Sequence, residues 1–442
     1  MERLTSGTEE GPARPANWKW FICSLLFLAT MLMYMDRLTL SQMASRITRE
    51  LSLTNEHYGR MEMGFGLAFA LGAIVNGLLA DRFSIRWLYP VMLVGWSLAG
   101  VATAWSVEIG QVLLPMVGQN AWLGTKGNPS DAAFIGMFAC RVVLGFFESG
   151  HWPCALITTQ RLLSGADRTL GNSLLQSGAS VGAVITPLVI LLMISDEEGS
   201  WRRPFIIIGL AGMSWVIPWL LMVRDRDLKY REPVVDPASA PVSIWTRALF
   251  KKAVVLLAIV ITINMTWQFF RAWMPKLMQE EHGYGEVFTS FFMSGFYLVA
   301  DLGCLAAGGL VKGLTGAKMS LNVARISVFA VFTQFVLMSA VAAQVPASPL
   351  LLGLFLVVGF GALGLFPVYY SLSQEIATKR FGFVTGLFGA TTWIITSYMQ
   401  FLVGRNVDQT HSYQAGLFWI GMVPLIGCLA LALLWPEEEP TT

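Results

Sequence analysis

Four ionisable residues stand in stretches otherwise suited to hydrocarbon. Asp36 and Arg37 sit side by side in Met33-Tyr34-Met35-Asp36-Arg37, and Arg141 and Glu148 share Arg141-Val142-Val143-Leu144-Gly145-Phe146-Phe147-Glu148. A charge at the centre of a bilayer costs about 3 kcal/mol on insertion scales, so such residues read as functional groups facing a water-filled cavity. The chemistry they suit is the joint handling of protons and anions. A guanidinium presents a fork of N–H donors that matches a carboxylate better than an ammonium does, and a buried carboxyl can exchange its charge for a proton. Arg141 and Glu148 lie on one helical face but two turns apart, too far for contact, so each requires another partner. Asp36 is the expected partner of Arg141. Glu148, with no permanent cation assigned to it, is the candidate coupling acid. A fixed ion-pair network joining the two helices is the alternative. His151, one turn beyond Glu148, reads first as a packing histidine bonded to a backbone carbonyl and second as a proton relay.

The elements that must position these groups are membrane helices. Hydrophobic residues make up 55% of the chain and charged ones 13%, where soluble domains carry roughly 25% charge. Twelve stretches reach the length of about 20 residues that a span requires: 19–40, 58–80, 87–108, 133–157, 169–193, 204–223, 252–275, 289–311, 319–343, 349–373, 382–403 and 414–435. The first is too long for a cleaved signal peptide and has no small-residue cleavage site. Lys and Arg are more than twice as frequent in the even-numbered connections and tails as in the odd-numbered loops, which predicts both termini in the cytoplasm of an inner (plasma) membrane protein. The five cysteines, Cys23, Cys140, Cys154, Cys304 and Cys428, fall inside spans and form no disulfide or metal pattern. No cofactor is expected, and a net charge of +2 gives no reason to expect nucleic acid.

The chain divides into similar halves. Residues 224–251 carry Arg224-Asp225-Arg226-Asp227 followed by Pro233, Pro237 and Pro241, a linker composition. The expected organisation is a cytoplasmic tail at 1–18, a six-helix bundle at 19–223, the linker, a second bundle at 252–435 and a tail at 436–442. Gly145, Pro153 and Gln160 in span four repeat as Gly359, Pro367 and Gln374 in span ten, equivalent places in a duplicated unit. Two bundles about a central cavity are the architecture of a secondary transporter. The long outer loop 109–132, rich in glycine, reads as a flexible, passive insertion.

Gly77-Leu78-Leu79-Ala80-Asp81-Arg82-Phe83-Ser84-Ile85-Arg86 resembles the cytoplasmic loop signature of the major facilitator superfamily. Gly77, Asp81, Arg82 and Arg86 suit a latch that biases one conformational state against the other; plain positive-inside topology is the alternative for the two arginines. The second half carries only Gly309-Leu310-Val311-Lys312-Gly313. Tyr34-Met35-Asp36-Arg37 together with Arg141-x3-Gly145-x2-Glu148 is similar to the anion:cation symporter family of that superfamily, which includes bacterial hexuronate and galactonate permeases, sialin and vesicular glutamate transporters. Ala300-Asp301-Leu302-Gly303-Cys304 and Ala272-Trp273-Met274-Pro275 resemble the hexuronate branch.

The resemblance implies an all-α integral membrane fold of twelve helices in two pseudo-symmetric bundles. It implies that Arg37 binds a substrate carboxylate, that Asp36 and Glu148 couple protons with Arg141 beside them, and that Tyr34 lines the cavity. The family holds sodium- as well as proton-coupled members. From the residues themselves, Gln176 on span five, Gln268 and Arg271 on span seven, and Tyr370, Thr392 and Trp393 are candidates to bond or stack on a sugar. Arg271, near the outer end of its span, reads equally as a side chain snorkelling to the interface. The expected function is proton-coupled uptake of a small organic anion, such as a hexuronate or another sugar acid, by a monomeric carrier in the lipid bilayer. Efflux by proton antiport and a non-transporting receptor are the rival readings. No nucleophile–base pair or metal cluster points to an enzyme.

Overall fold

Hydrocarbon offers the backbone no partners, so a spanning chain closes its hydrogen bonds within helices. The computed structural model describes residues 15, 17–163, 165–228, 247–374 and 381–435, without the side chains of 165, 166, 169, 247–249 and 381–385. Among the described residues the chain is helical almost throughout, with no strand. Eleven helices among the described residues are long and apolar enough to cross a membrane: Trp18–Glu50, Asn55–Arg82, Ile85–Thr103, Asp131–Leu162, Leu170–Leu191, Arg202–Met222, Phe250–Glu281, Glu286–Gly316, Leu321–Ala342, Pro349–Ser373 and Gln414–Leu434. Phe381–Thr410, with 30 residues, has the length and less hydropathy, because Thr392, Thr396, Ser397 and Gln400 are buried on it against protein instead of facing lipid. Counting it as the eleventh in chain order gives spans one to twelve. The chain is a multi-pass membrane protein.

Spans one to six and seven to twelve form the two bundles. They meet where span two lies along span eleven, span five along span eight and span one along span seven. Span one runs on to Glu50, beyond the stretch read from hydropathy. Hydropathy marks the lipid-facing length only, and the protruding turns carry Arg46 and Thr48, which bond the other half. Span four is interrupted between Glu148 and His151, and span ten between Gly364 and Phe366. Both interruptions fall inside the repeated Gly-x7-Pro pattern, since a proline removes one helical N–H and crowds the carbonyl four residues back.

The segment 109–132 is folded, contrary to the expectation of a flexible insertion. Ser106–Val117 is helical, and Asp131 Oδ2 accepts from the backbone N–H groups of Lys126, Gly127 and Asn128 at 2.8, 2.7 and 3.0 Å. A carboxylate gathering three N–H donors pins the loop as a cap does. Of the linker expected over 224–251, a short turn at Asp225–Leu228 is described, and residues 247–251 are not linker but the first turn of the helix Arg247–Lys276 that carries span seven. Residues 229–246, and 1–14, 16 and 436–442 of the tails, lie outside the described residues.

The face bearing residues 51–54 is closed by bonds between the halves. Arg46 pairs with Glu286 at 2.6 Å. Lys276 Nζ donates to Thr48 at 2.9 Å and Tyr58 Oη to the Ala272 carbonyl at 2.7 Å. Asp408 on span eleven accepts from the N–H groups of Asn55 and Glu56, at 2.9 and 2.7 Å, and so caps span two from the opposite half. Deeper in, Ser180 donates to Asp301 at 3.0 Å. Nearer the 83–84 face the halves diverge around a cleft of about 550 Å³, lined among others by Gly77, Asp81, Pro153, Gly386 and Leu387.

Candidate substrate and coupling site

Gly145 decides how closely spans two and four approach, since a Cβ there would meet the Phe65 carbonyl oxygen at 2.3 Å. This contact brings the charged face of span four against Phe65 and up to span one. Arg37 then donates from Nε and Nη2 to Glu148 Oε2, at 3.0 and 2.7 Å. Both side chains are buried. The guanidinium lies 5.4 Å from the Tyr34 ring centre, 5.2 Å from those of Phe65 and Phe69, and 5.6 Å from that of Trp393. Trp393 belongs to span eleven, so this aromatic box is completed by both halves. Rings around a desolvated cation add cation–π attraction.

Asp36 turns the other way. It is buried and faces span three, where a Cβ on Gly100 would stand 3.1 Å from Asp36 Oδ1. Its Oδ2 has no hydrogen-bond partner among the described residues. The expected pair between Asp36 and Arg141 does not form. Adjacent residues on a helix point about 100° apart, so Asp36 and Arg37 serve different walls.

Arg141 instead meets Glu62 of span two at 3.4 Å. The other Glu62 oxygen accepts from Arg271 of span seven at 2.5 Å, and Arg271 Nε donates to Gln268 Oε1 at 2.5 Å. Arg271 is therefore buried between the halves and does not snorkel. A cleft of about 10 Å³, close to the room one water requires, is lined by Glu62, Gln268, Arg271, Trp393, Thr396, Ser397 and Gln400. Glu62 is the site residue that sequence reasoning missed. Its signal was present: positions 62, 65 and 69 share a helical face, and Phe65 and Phe69 are the residues that box Arg37.

The remaining candidates are more dispersed. Tyr370 is exposed and within electrostatic range of Tyr34. Thr392 is buried, and its hydroxyl is without a partner among the described residues. Gln176 is exposed on span five, one turn from Ser180, outside the Arg37 cluster. His151 bonds side chains and not a carbonyl: Tyr89 Oη lies 2.9 Å from Nδ1 and Thr30 Oγ1 3.0 Å from Nε2. Of the loop signature, Gly77 and Asp81 line the 550 Å³ cleft, and Asp81 and Arg82 are exposed. Arg86 pairs with Asp225 of its own half at 3.2 Å. The Ser84 hydroxyl and then Arg86 hold the Asp225 carboxyl below its ordinary pKa.

Such an arrangement can bind a carboxylate and move a proton, and comparison with known proteins points to carriers. The D-galactonate transporter of Escherichia coli O6:H1 is 22% identical over 456 residues, covering 96% of each chain. The hexuronate transporter of Escherichia coli K12 is 22% identical over 438 residues, covering 93% of this chain and 91% of its own. Among solved structures, a bacterial homologue of the human lysosomal transporter Spinster, in an inward-facing and unoccupied conformation, superposes with a TM-score of 0.71 at 14% identity, covering 96% of this chain and 97% of the other. The model of the Major Facilitator Superfamily matches residues 26–398, and the chain belongs to that superfamily of non-enzymatic carriers.

Proposed function

We propose that the chain takes up a small sugar-acid anion together with protons, working as a monomer in the inner membrane with both termini cytoplasmic. The observation that carries this reading is the direct Arg37–Glu148 pair inside an aromatic box shared by the two halves. With the 83–84 face cytoplasmic, the conformation described is inward-facing and Glu148 holds the arginine. From the outside, protonation of Glu148 weakens its claim on Arg37, and the substrate carboxylate takes the freed N–H fork. Neutralising the acid also lowers the cost of closing the site away from water. After release of substrate and proton to the cytoplasm, Glu148 returns to Arg37.

Asp36, with neither cation nor donor at Oδ2, is the second coupling acid in this scheme, and Arg141 supports the Glu148 wall. Tyr34, Gln176, Tyr370, Thr392 and Trp393 supply hydroxyl bonds and a flat face to the sugar. Gln268 and Arg271, engaged with Glu62 in this state, join the cavity when the 51–54 face opens. Gly77, Asp81, Arg82 and Arg86 latch the 83–84 face when it closes, with Asp81 and Arg82 as the groups that then find partners. A ligand shifts such states only by binding them unequally.

The test is uptake by purified protein in liposomes, acidic outside, against a panel of galactonate, hexuronates and aldarates, with sodium gradients as the control. The reading expects concentrative uptake of at least one of these anions, driven by the pH gradient and recovered unchanged. Uptake indifferent to pH, or driven by sodium alone, would overturn proton coupling.

A further inference from the structure

A second cluster of buried charges, separate from the Arg37–Glu148 pair, is divided between the halves. Glu62 and Arg141 belong to the first half and Arg271 to the second. Glu62 presents one oxygen to each arginine, at 3.4 Å to Arg141 Nη2 and 2.5 Å to Arg271 Nη2. All three side chains are almost fully buried. Arg141 Nε and Nη1 and Arg271 Nη1 have no hydrogen-bond partner among the described residues, so the Glu62 carboxylate is the one described anion bonded to either guanidinium.

The Glu62–Arg271 contact crosses from one half to the other, so it depends on how the halves are placed. Arg271 lies about one and a half helical turns from Lys276, in the part of span seven that closes the 51–54 face together with Thr48, Tyr58 and Asp408. An opening of that face would draw span seven away from spans one and two. Glu62 would then keep Arg141, which is on its own side, and lose Arg271. An arginine stripped of its carboxylate and opened to water is an anion-binding group. Closing the face again buries two guanidiniums side by side, which is tolerable only with a carboxylate between them.

We propose that Glu62 is a positioning residue that competes with the transported anion for Arg271. It yields the arginine when the 51–54 face opens and reclaims it on closure, so that a captured carboxylate is passed inward to Arg37. The inference rests on the anion-carrier reading for its second half. Its first half, that the Glu62–Arg271 pair holds the 51–54 face shut, requires no substrate.

The experiment uses the full chain with its five cysteines replaced and a single cysteine at Ser45, which lines the polar cleft of the 51–54 face beside Thr48 and Lys276. Labelling by a membrane-impermeant maleimide is measured without substrate. Glu62→Gln and Arg271→Gln are each expected to raise the labelling rate by roughly fivefold or more, and the double variant to match Arg271→Gln, since without Arg271 the Glu62 carboxylate has no partner in the other half to hold. Arg271→Gln leaves the Glu62–Arg141 contact in place, so it answers the question even where Glu62→Gln does not fold. Unchanged labelling in Arg271→Gln, or a double variant that sums the singles, overturns the pair. In uptake of an anion the wild type carries, Glu62→Gln lowers KM and kcat together, whereas Arg271→Gln raises KM. A raised KM in Glu62→Gln would overturn the competition. A wild-type protein that carries none of the anions, with the labelling as expected, would overturn the carrier reading and leave the pair standing.

Discussion

Arg37 directs both Nε and Nη2 to the same oxygen of Glu148, while Glu148 Oε1 is buried with no hydrogen-bond partner among the described residues. The two side chains come from helices 111 residues apart in sequence, and neither is paired with its neighbours Asp36 or Arg141. In the proposed cycle this fixes an order of events: Arg37 is not free for a substrate carboxylate until Glu148 lets go, and a proton on Glu148 is the simplest agent of release.

Arg37→Lys keeps the charge and loses the planar fork. The expected loss of anion affinity is about 2 kcal/mol, roughly thirtyfold, the worth of one charged hydrogen bond. Calorimetry at a pH where the wild type binds would measure it. Unaltered affinity would remove Arg37 as the anchor.

Gly100→Val would press on Asp36, whose Oδ1 stands 3.1 Å from the position of a Cβ at Gly100. Overpacking of this kind costs about 1–3 kcal/mol. Because Asp36 and Arg37 serve different walls, the accumulation ratio under a pH gradient is expected to fall about tenfold while anion binding at Arg37 stays within about threefold. Equal losses in both, measured on one preparation, would contradict the separation of the two walls.

Asp408→Ala removes a cap that span eleven places on the first turn of span two. Such caps are worth about 1 kcal/mol, so the population should shift about fivefold towards the state open at the 51–54 face. Maleimide labelling of a cysteine at Ser45 reads this directly. Labelling at the wild-type rate would show that the cap does not hold the halves together.

Asp225 is the charged partner of the 83–84 loop through Ser84 and Arg86. Its carboxyl pKa is depressed in the fold, so the anchoring it gives is fully present above the ordinary aspartate pKa of about 3.9 and is lost only as pH falls through the still lower folded value. Asp225→Asn is therefore expected to leave the shape of the transport pH profile between about pH 5 and 8 unchanged. A shifted profile would show that the linker anchor takes part in coupling.

Much of this architecture was legible in residue types. Intramembrane charges announced Asp36, Arg37, Arg141 and Glu148, and the paired Gly-x7-Pro pattern announced spans four and ten as equivalent, though not that both helices break inside it. Partnership was not legible. Asp36 and Arg37 are adjacent in sequence yet point to different walls, and Arg141 finds its carboxylate on span two, a choice made by how Gly145 seats span four on Phe65. Glu62 was obscured by its neighbours: with Glu56 and Arg60 nearby it reads as part of a polar helix start, although it is buried and Glu56 is not. The closure of the 51–54 face was equally hidden, because Arg46, Lys276, Glu286 and Asp408 look in sequence like ordinary interfacial charges.

The central claim is that Glu148 exchanges Arg37 for a proton, and uptake by Glu148→Gln tests it most directly. In liposomes with a pH gradient, the variant should equilibrate or exchange the anion without concentrating it, at any pH from about 5 to 8. Accumulation against a gradient to the wild-type level would contradict the account.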